Sequence, residues 1–181
     1  FFALFFRDPL RKIPSETNVF VSSADGIVRD IQTVSDPFGG NSKFKRIGIF
    51  LSVLDVHINR APFDMEVKNV KYKKGAFHDA RSPLASTENE SNAILCEINC
   101  AGKTFPLIVK QISGAIARRI VSDAVVGSKW TKGEKYGMIK FGSRTELYLP
   151  DDPRFEILAK EGGRVFAGSS ILAKFNKGGE I

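Results

Sequence analysis

The sequence predicts a mainly β domain, a β-rich α+β chain of barrel-sandwich type with few short helices. Three observations carry this expectation: many apolar runs of strand length, Gly-rich turns between them, and no internal repeat or low-complexity tract. Taken in order, Val19–Ser22 and Gly26–Ile31 are strand signals on either side of Ala24-Asp25-Gly26, where Asp-Gly favours a tight reversal. Phe44–Leu51, Met65–Lys73, Asn92–Asn99 and Thr104–Gln111 are the next strands. Gly114–Val121 stays open between helix and strand, because Ile112, Ile116 and Ile120 recur every four residues. Lys135–Phe141 and Thr145–Leu149 are short apolar runs around a Gly-Ser step. Val165–Phe175 reads as strand, tight turn and strand, and Pro150 to Pro153 marks a boundary between a main body and this final hairpin.

A length of 181 residues fits one domain with a sizeable core. Hydrophobic residues at 43% and charged residues at 26% exclude disordered, collagen-like and multi-span membrane classes. The net charge of +7 lies wholly in residues 1–142, since residues 143–181 hold six basic and six acidic side chains. A basic body suits nucleic acid, an anionic membrane surface or an acidic substrate. Lys71, Lys73 and Lys74 read more simply as a solvated strand end. Cys96 and Cys100 form neither a CxxC pair nor a disulfide framework, which points to a reducing compartment.

Residues 1–6 hold four phenylalanines, and Arg7, Arg11 and Lys12 follow as a basic flank of the kind that borders membrane segments. Six helical residues cover roughly 9 Å, against a hydrocarbon core of about 30 Å. They are therefore too short to span, and residues 1–14 are expected to form a membrane-proximal segment ahead of a single domain over 15–181. The competing reading packs the phenylalanines into the core or a dimer contact.

With two histidines, the options for acid–base chemistry are few. His57 follows an apolar strand, where a lone histidine is ordinarily a packed residue. His78 sits among loop signals. Alone, Asp25 is a turn aspartate, and Gly142-Ser143 is a hairpin turn like Gly168-Ser169. No GxSxG elbow, P-loop or GxGxxG occurs.

Six blocks in order nevertheless resemble phosphatidylserine decarboxylases, in particular the short, archaeal-type subgroup. They are Phe6-Arg7-Asp8-Pro9 with Ile13-Pro14, Val21–Gly26, Phe50–Pro62, Asn89–Asn92, Gln111–Gly114 with Ala117–Ile120, and Tyr136–Pro150. Ser23 and Val53 stand where the family commonly has proline, and Arg60 replaces the second residue of the His-x-x-His pair of longer members.

The resemblance implies a proenzyme that cuts itself between Gly142 and Ser143. The fragment 1–142 becomes the β chain and 143–181 the α chain, with Ser143 converted to a pyruvoyl group. Ser143, His57 and Asp25 would be nucleophile, base and orienting carboxylate. The pyruvoyl would form a Schiff base with phosphatidylserine and yield CO2 and phosphatidylethanolamine without metal or pyridoxal phosphate. Arg60 and Gln111 are the implied substrate-binding residues. A homodimer on the cytoplasmic side of the cell membrane is the implied setting.

Two other classes compete. Ser22–Val28 and Val165–Leu172 resemble the halves of a lipoyl- or biotinyl-type carrier, but no hairpin-tip lysine with Met or Asp beside it stands between them. A nucleic-acid binder would interleave aromatic and basic residues on a strand face, a pattern this sequence lacks.

Overall fold

The structure is a computed structural model that describes residues 7–115, 119–140 and 142–178. In chain order the strands are β1 (Val19–Val21), β2 (Gly26–Ser35), β3 (Lys43–Leu51), β4 (Ile58–Arg60) and β5 (Met65–Lys73). The short helix α1 (Ala85–Glu88) precedes β6 (Ser91–Cys100), β7 (Lys103–Ile112), β8 (Ile120–Ser122), β9 (Lys129–Trp130) and β10 (Lys135–Ile139). The series ends with β11 (Ser143–Pro150), β12 (Phe155–Ile157), β13 (Arg164–Val165) and β14 (Ile171–Phe175).

Antiparallel pairing builds one large sheet, ordered β13-β2-β3-β11-β7-β6-β5-β9, and two small ones, β1-β14-β12 and β4-β10-β8. The mainly β expectation holds. Side-chain alternation gives the large sheet two different faces. Ile47, Ile49 and Leu51 of β3, Leu107 and Val109 of β7, and Leu147 and Leu149 of β11 share the main core. That core also holds an aromatic cluster, with Phe20 stacked on Phe63 at 4.4 Å and Phe155 against Phe175 at 5.2 Å. Full burial of such a side chain contributes about 1.5–3 kcal/mol. Strand β11 is central and buried on both faces. Its other face carries Arg144, Glu146 and Tyr148, where Arg144 Nε donates to Glu146 Oε1 at 2.7 Å and the Tyr148 hydroxyl donates to Glu146 Oε2.

Two sequence expectations change and one open reading is settled. The strands around Asp25 both form, but β1 pairs with β14 and β2 with β3. The Asp-Gly step therefore carries the chain from one sheet to another and closes no hairpin. The segment after Pro150 is likewise no separate hairpin, because β13 joins β2 and β14 lies between β1 and β12. Gly114–Val121 ends as strand β8, not as a helix, with Ile120–Ser122 paired to β10; residues 116–118 lie outside the described residues. The Phe1–Phe6 segment also lies outside them. Cys96 and Cys100 are free and buried, and burial pushes their thiols up to about 12 and about 11.

Candidate active site

The Gly142–Ser143 step joins a left-handed glycine to the first, buried residue of β11. Gly142 has φ +55°, in the left-handed region that a Cβ disfavours. Ser143, the first residue of β11, is fully buried, and its Oγ has no hydrogen-bond partner among the described residues. A buried, unsatisfied hydroxyl costs about 1–3 kcal/mol.

The Gly142 carbonyl rests against Gly114. A Cβ built on Gly114 would stand 1.8 Å from that oxygen and 2.9 Å from its carbon, so only glycine fits there. Asn89 fixes this seat from behind. Its Nδ2 donates to the Ser113 carbonyl at 2.7 Å and to the His78 carbonyl at 2.8 Å, and the Ser113 N–H donates to the Glu90 carbonyl at 3.0 Å. A cavity of about 340 Å³ opens beside Gly142, lined by Phe50, Val53, Ala80 and Arg81 among others.

His57 lies on the turn between β3 and β4 and is fully buried. Its carbonyl accepts the Ile139 N–H at 3.2 Å, which ties that turn to β10 just ahead of Gly142. Burial holds the imidazole below its usual pKa of 6.5; the Asp55 backbone and carboxylate oppose this, Arg7 reinforces it, and Asp25 opposes it more weakly. The ring is thus kept neutral at pH 7, as a base requires.

Asp25 is engaged elsewhere: its Oδ2 accepts from Arg11 Nη2 and its Oδ1 from the Ala167 N–H, both at 2.8 Å. Asp55 is the carboxylate with the stronger hold on His57. It is itself fixed by Arg164 and by the Ser52 N–H at 2.8 Å. Arg7 and Arg11 belong to this region and not to a free basic flank, since Arg7 Nη2 donates to the Leu54 carbonyl at 2.7 Å.

Arg60 and Gln111 do not line the cavity. Arg60 donates to the Gly133 carbonyl at 2.9 Å and to Asp8 at 3.0 Å, anchoring the N-terminal segment. Gln111 is fully buried beside β11. Its Nε2 donates to Asn59 Oδ1 at 2.9 Å and to the Val121 carbonyl at 3.1 Å, while its Oε1 accepts from Asn92 at 3.2 Å. Asn59 Nδ2 in turn donates to Thr145 Oγ1 at 3.3 Å. Thr145 lies two residues beyond Ser143 on the same strand face, so this network stiffens the strand that presents Ser143. His78 bonds to Glu88 at 2.6 Å. Among the described residues, no group of three or more His, Cys, Asp or Glu is placed to hold a metal ion.

Sequence reasoning missed Asp55, Asn59, Thr145, Arg81 and the packing role of Gly114. Asp55 and Asn59 flank His57 at two-residue spacing in an otherwise apolar stretch, a signal that was there to read. Gly114 offered none, because its role depends on what packs against it.

The model of the phosphatidylserine decarboxylase family matches residues 1–173. Curated relatives agree. A phosphatidylserine decarboxylase proenzyme of a Wolbachia from Brugia malayi is 45% identical over 96% of this chain and 75% of its own length. That of Wolbachia pipientis wMel is 42% identical over the same shares, and that of Burkholderia cenocepacia is 40% identical over 98% of this chain and 80% of its own. The carrier-domain alternative gives way: β13 pairs with β2 and so unites the two carrier-like stretches, but the kinship lies with decarboxylases. The left-handed Gly142 ahead of a buried Ser143, the buried neutral histidine and these matches converge: the chain belongs to the phosphatidylserine decarboxylase family.

Proposed function

We propose that this chain is a proenzyme that cuts itself between Gly142 and Ser143, and that the product decarboxylates phosphatidylserine to phosphatidylethanolamine. The observation that carries this reading is the Gly142–Ser143 step itself. It combines a left-handed glycine, a carbonyl seated against Gly114 and a buried serine hydroxyl without a partner among the described residues.

Self-cleavage starts when Ser143 Oγ attacks the Gly142 carbonyl carbon and His57 takes the hydroxyl proton. Asp55 and, more weakly, Asp25 stabilise the resulting imidazolium by charge. The C–N bond breaks, the amine leaves protonated and an ester joins Gly142 to the Ser143 side chain. Loss of the Ser143 Cα proton expels the Gly142 carboxylate and leaves dehydroalanine. One water then converts this residue to a pyruvoyl group and releases ammonia.

Ser143 is the residue that would become this group, and Gly114, Gln111, Asn59 and Thr145 hold the strand that would carry it. The group supplies a ketone that captures a primary amine and accepts the electron pair left by departing CO2. The remaining steps fall to the chain. The cavity beside Gly142 receives the headgroup, with the paired Arg81 and Asp79 as the charged part of its wall and Phe50 and Val53 as its apolar side. His57 returns a proton to the carbon that lost CO2. Exposed Leu10 and Leu54, next to Arg7, support membrane contact at this end. No helix among the described residues is long and apolar enough to cross a membrane.

Cyanoborohydride added during turnover should link phosphatidylserine covalently to the fragment that begins at position 143, while N-acylated phosphatidylserine, which lacks the amine, should not be linked. Substrate found on the 1–142 fragment, or linkage of both lipids alike, would overturn the proposal.

A further inference from the structure

The outer face of the large sheet carries charge that the reaction at Gly142–Ser143 does not use. Lys110 precedes Gln111 on β7 and points to the opposite face, across from Glu146 of β11 in the strand register. There a cavity of about 400 Å³ opens, with Arg46, Lys71, Lys73 and Lys110 in its wall beside the hydroxyls of Ser86 and Tyr148. Among the described residues no Asp or Glu lines it, and it shares no residue with the cavity beside Gly142.

Arg46 is already paired with Asp30 at 3.1 Å and lies 3.8 Å from Glu146, whereas Lys71, Lys73 and Lys110 make no ion pair among the described residues and repel one another across the concavity. The carboxylates beneath are already committed. Glu146 is held by Arg144 and Tyr148, while Asp30 accepts from Arg144 at 2.8 Å and from Arg46 at 3.1 Å. Each lysine has three N–H donors. Among the described residues, Lys110 donates to the Ser86 carbonyl at 2.7 Å, Lys71 to the Pro37 carbonyl at 3.3 Å and Lys73 to the Thr87 carbonyl, which leaves donors for a ligand. Lys110 is the deepest of them. Burial lowers its pKa, Glu146 opposes the shift, and Lys73, Arg46 and Arg144 reinforce it, so a bound anion would relieve a repulsion already present. Arg46 is preoriented by Ser86 Oγ at 3.2 Å and Gln32 at 2.9 Å.

We propose that the cavity walled by Arg46, Lys71, Lys73 and Lys110 binds a phosphate group, as a second ligand site apart from the catalytic cavity. Several lysine donors and a guanidinium suit a tetrahedral anion with several acceptor oxygens. The phosphate can come from a phospholipid headgroup or from a free phosphate ester, and the site recognises what they share.

Calorimetric titration of the processed protein at fixed ionic strength, with inorganic phosphate and then glycerol 3-phosphate, tests this. Saturable binding at one site per chain is expected. Lys110→Gln and the more exposed Lys73→Gln should each weaken it by about tenfold or more, the effect of one lost charge-assisted contact. Lys129→Gln, an exposed lysine outside the cavity, should leave it unchanged. Phosphatidylglycerol vesicles that displace bound phosphate, where phosphatidylcholine vesicles do not, would make a headgroup the source; failure to displace it would make a free ester the source. Absence of saturable phosphate binding in the parent protein, or binding in Lys73→Gln and Lys110→Gln equal to that of the parent, would overturn the proposal.

Discussion

Gly114→Ala should leave the chain largely uncut, with self-cleavage slowed on the order of 100-fold or more. The added methyl would meet the Gly142 carbonyl oxygen at 1.8 Å, and neither partner is a flexible side chain that can swing away. One of two backbones has to move, and a displacement of about 1 Å at reacting atoms is enough to cost roughly 100-fold. Asn89 makes the outcome lopsided, because its bond to the Ser113 carbonyl at 2.7 Å restrains the Gly114 side. The scissile carbonyl is then what gives way. Hydroxylamine separates this from a later block, since it releases fragments only from a chain that has already formed the ester. Gly114→Ala should release none. Processing at the parental rate in a folded Gly114→Ala protein, judged by circular dichroism and an unchanged melting transition, would show that the seat plays no part.

His57→Ala should slow self-cleavage by about 100- to 10,000-fold, the range for loss of a positioned base. The pH dependence in the parent chain should carry the signature of burial. Because the folded imidazole lies below its usual 6.5, it stays neutral at pH 7, and the processing rate should fall only as pH drops through an inflection below 6.5. The same depressed value makes the unfolded chain bind a proton more readily in that window. The stability linked to His57 is therefore complete above pH 6.5 and declines as pH falls toward the folded value. Initial processing rates after refolding across pH 5 to pH 8 provide the measurement. An inflection above 6.5, or a His57→Ala chain that processes as fast as its parent, would assign the base elsewhere.

The strands were legible because their signals are local. Met65–Lys73 appears in the structure with the bounds expected from its composition, and Phe44–Leu51 and Asn92–Asn99 grow by a residue or two. Partnership was not legible. Asp25-Gly26 has the chemistry of a hairpin turn, yet β2 finds β3, because Ile47, Ile49 and Leu51 complete the buried face that Val28 begins. Ser143 and His57 stood out in the sequence only through family blocks, and both are buried. The surroundings were hidden for the same reason as the pairings. Whether Gln111 faces the substrate or braces a strand depends on Asn59, 52 positions away, and whether Asp25 or Asp55 is nearer in effect to His57 depends on Arg11 and Ala167.

Intact-mass spectrometry of the purified protein beside its Ser143→Ala variant tests the central claim most directly. The parent chain of 20.0 kDa should give two fragments. Apportioned by length these are roughly 16 and 4 kDa, and the smaller should resist Edman degradation because its first residue has lost its amine. Ser143→Ala should stay a single chain. One intact mass in the parent, cleavage that persists in Ser143→Ala, or a small fragment whose first Edman residue is an ordinary serine would each contradict self-cleavage to a pyruvoyl enzyme at Gly142–Ser143.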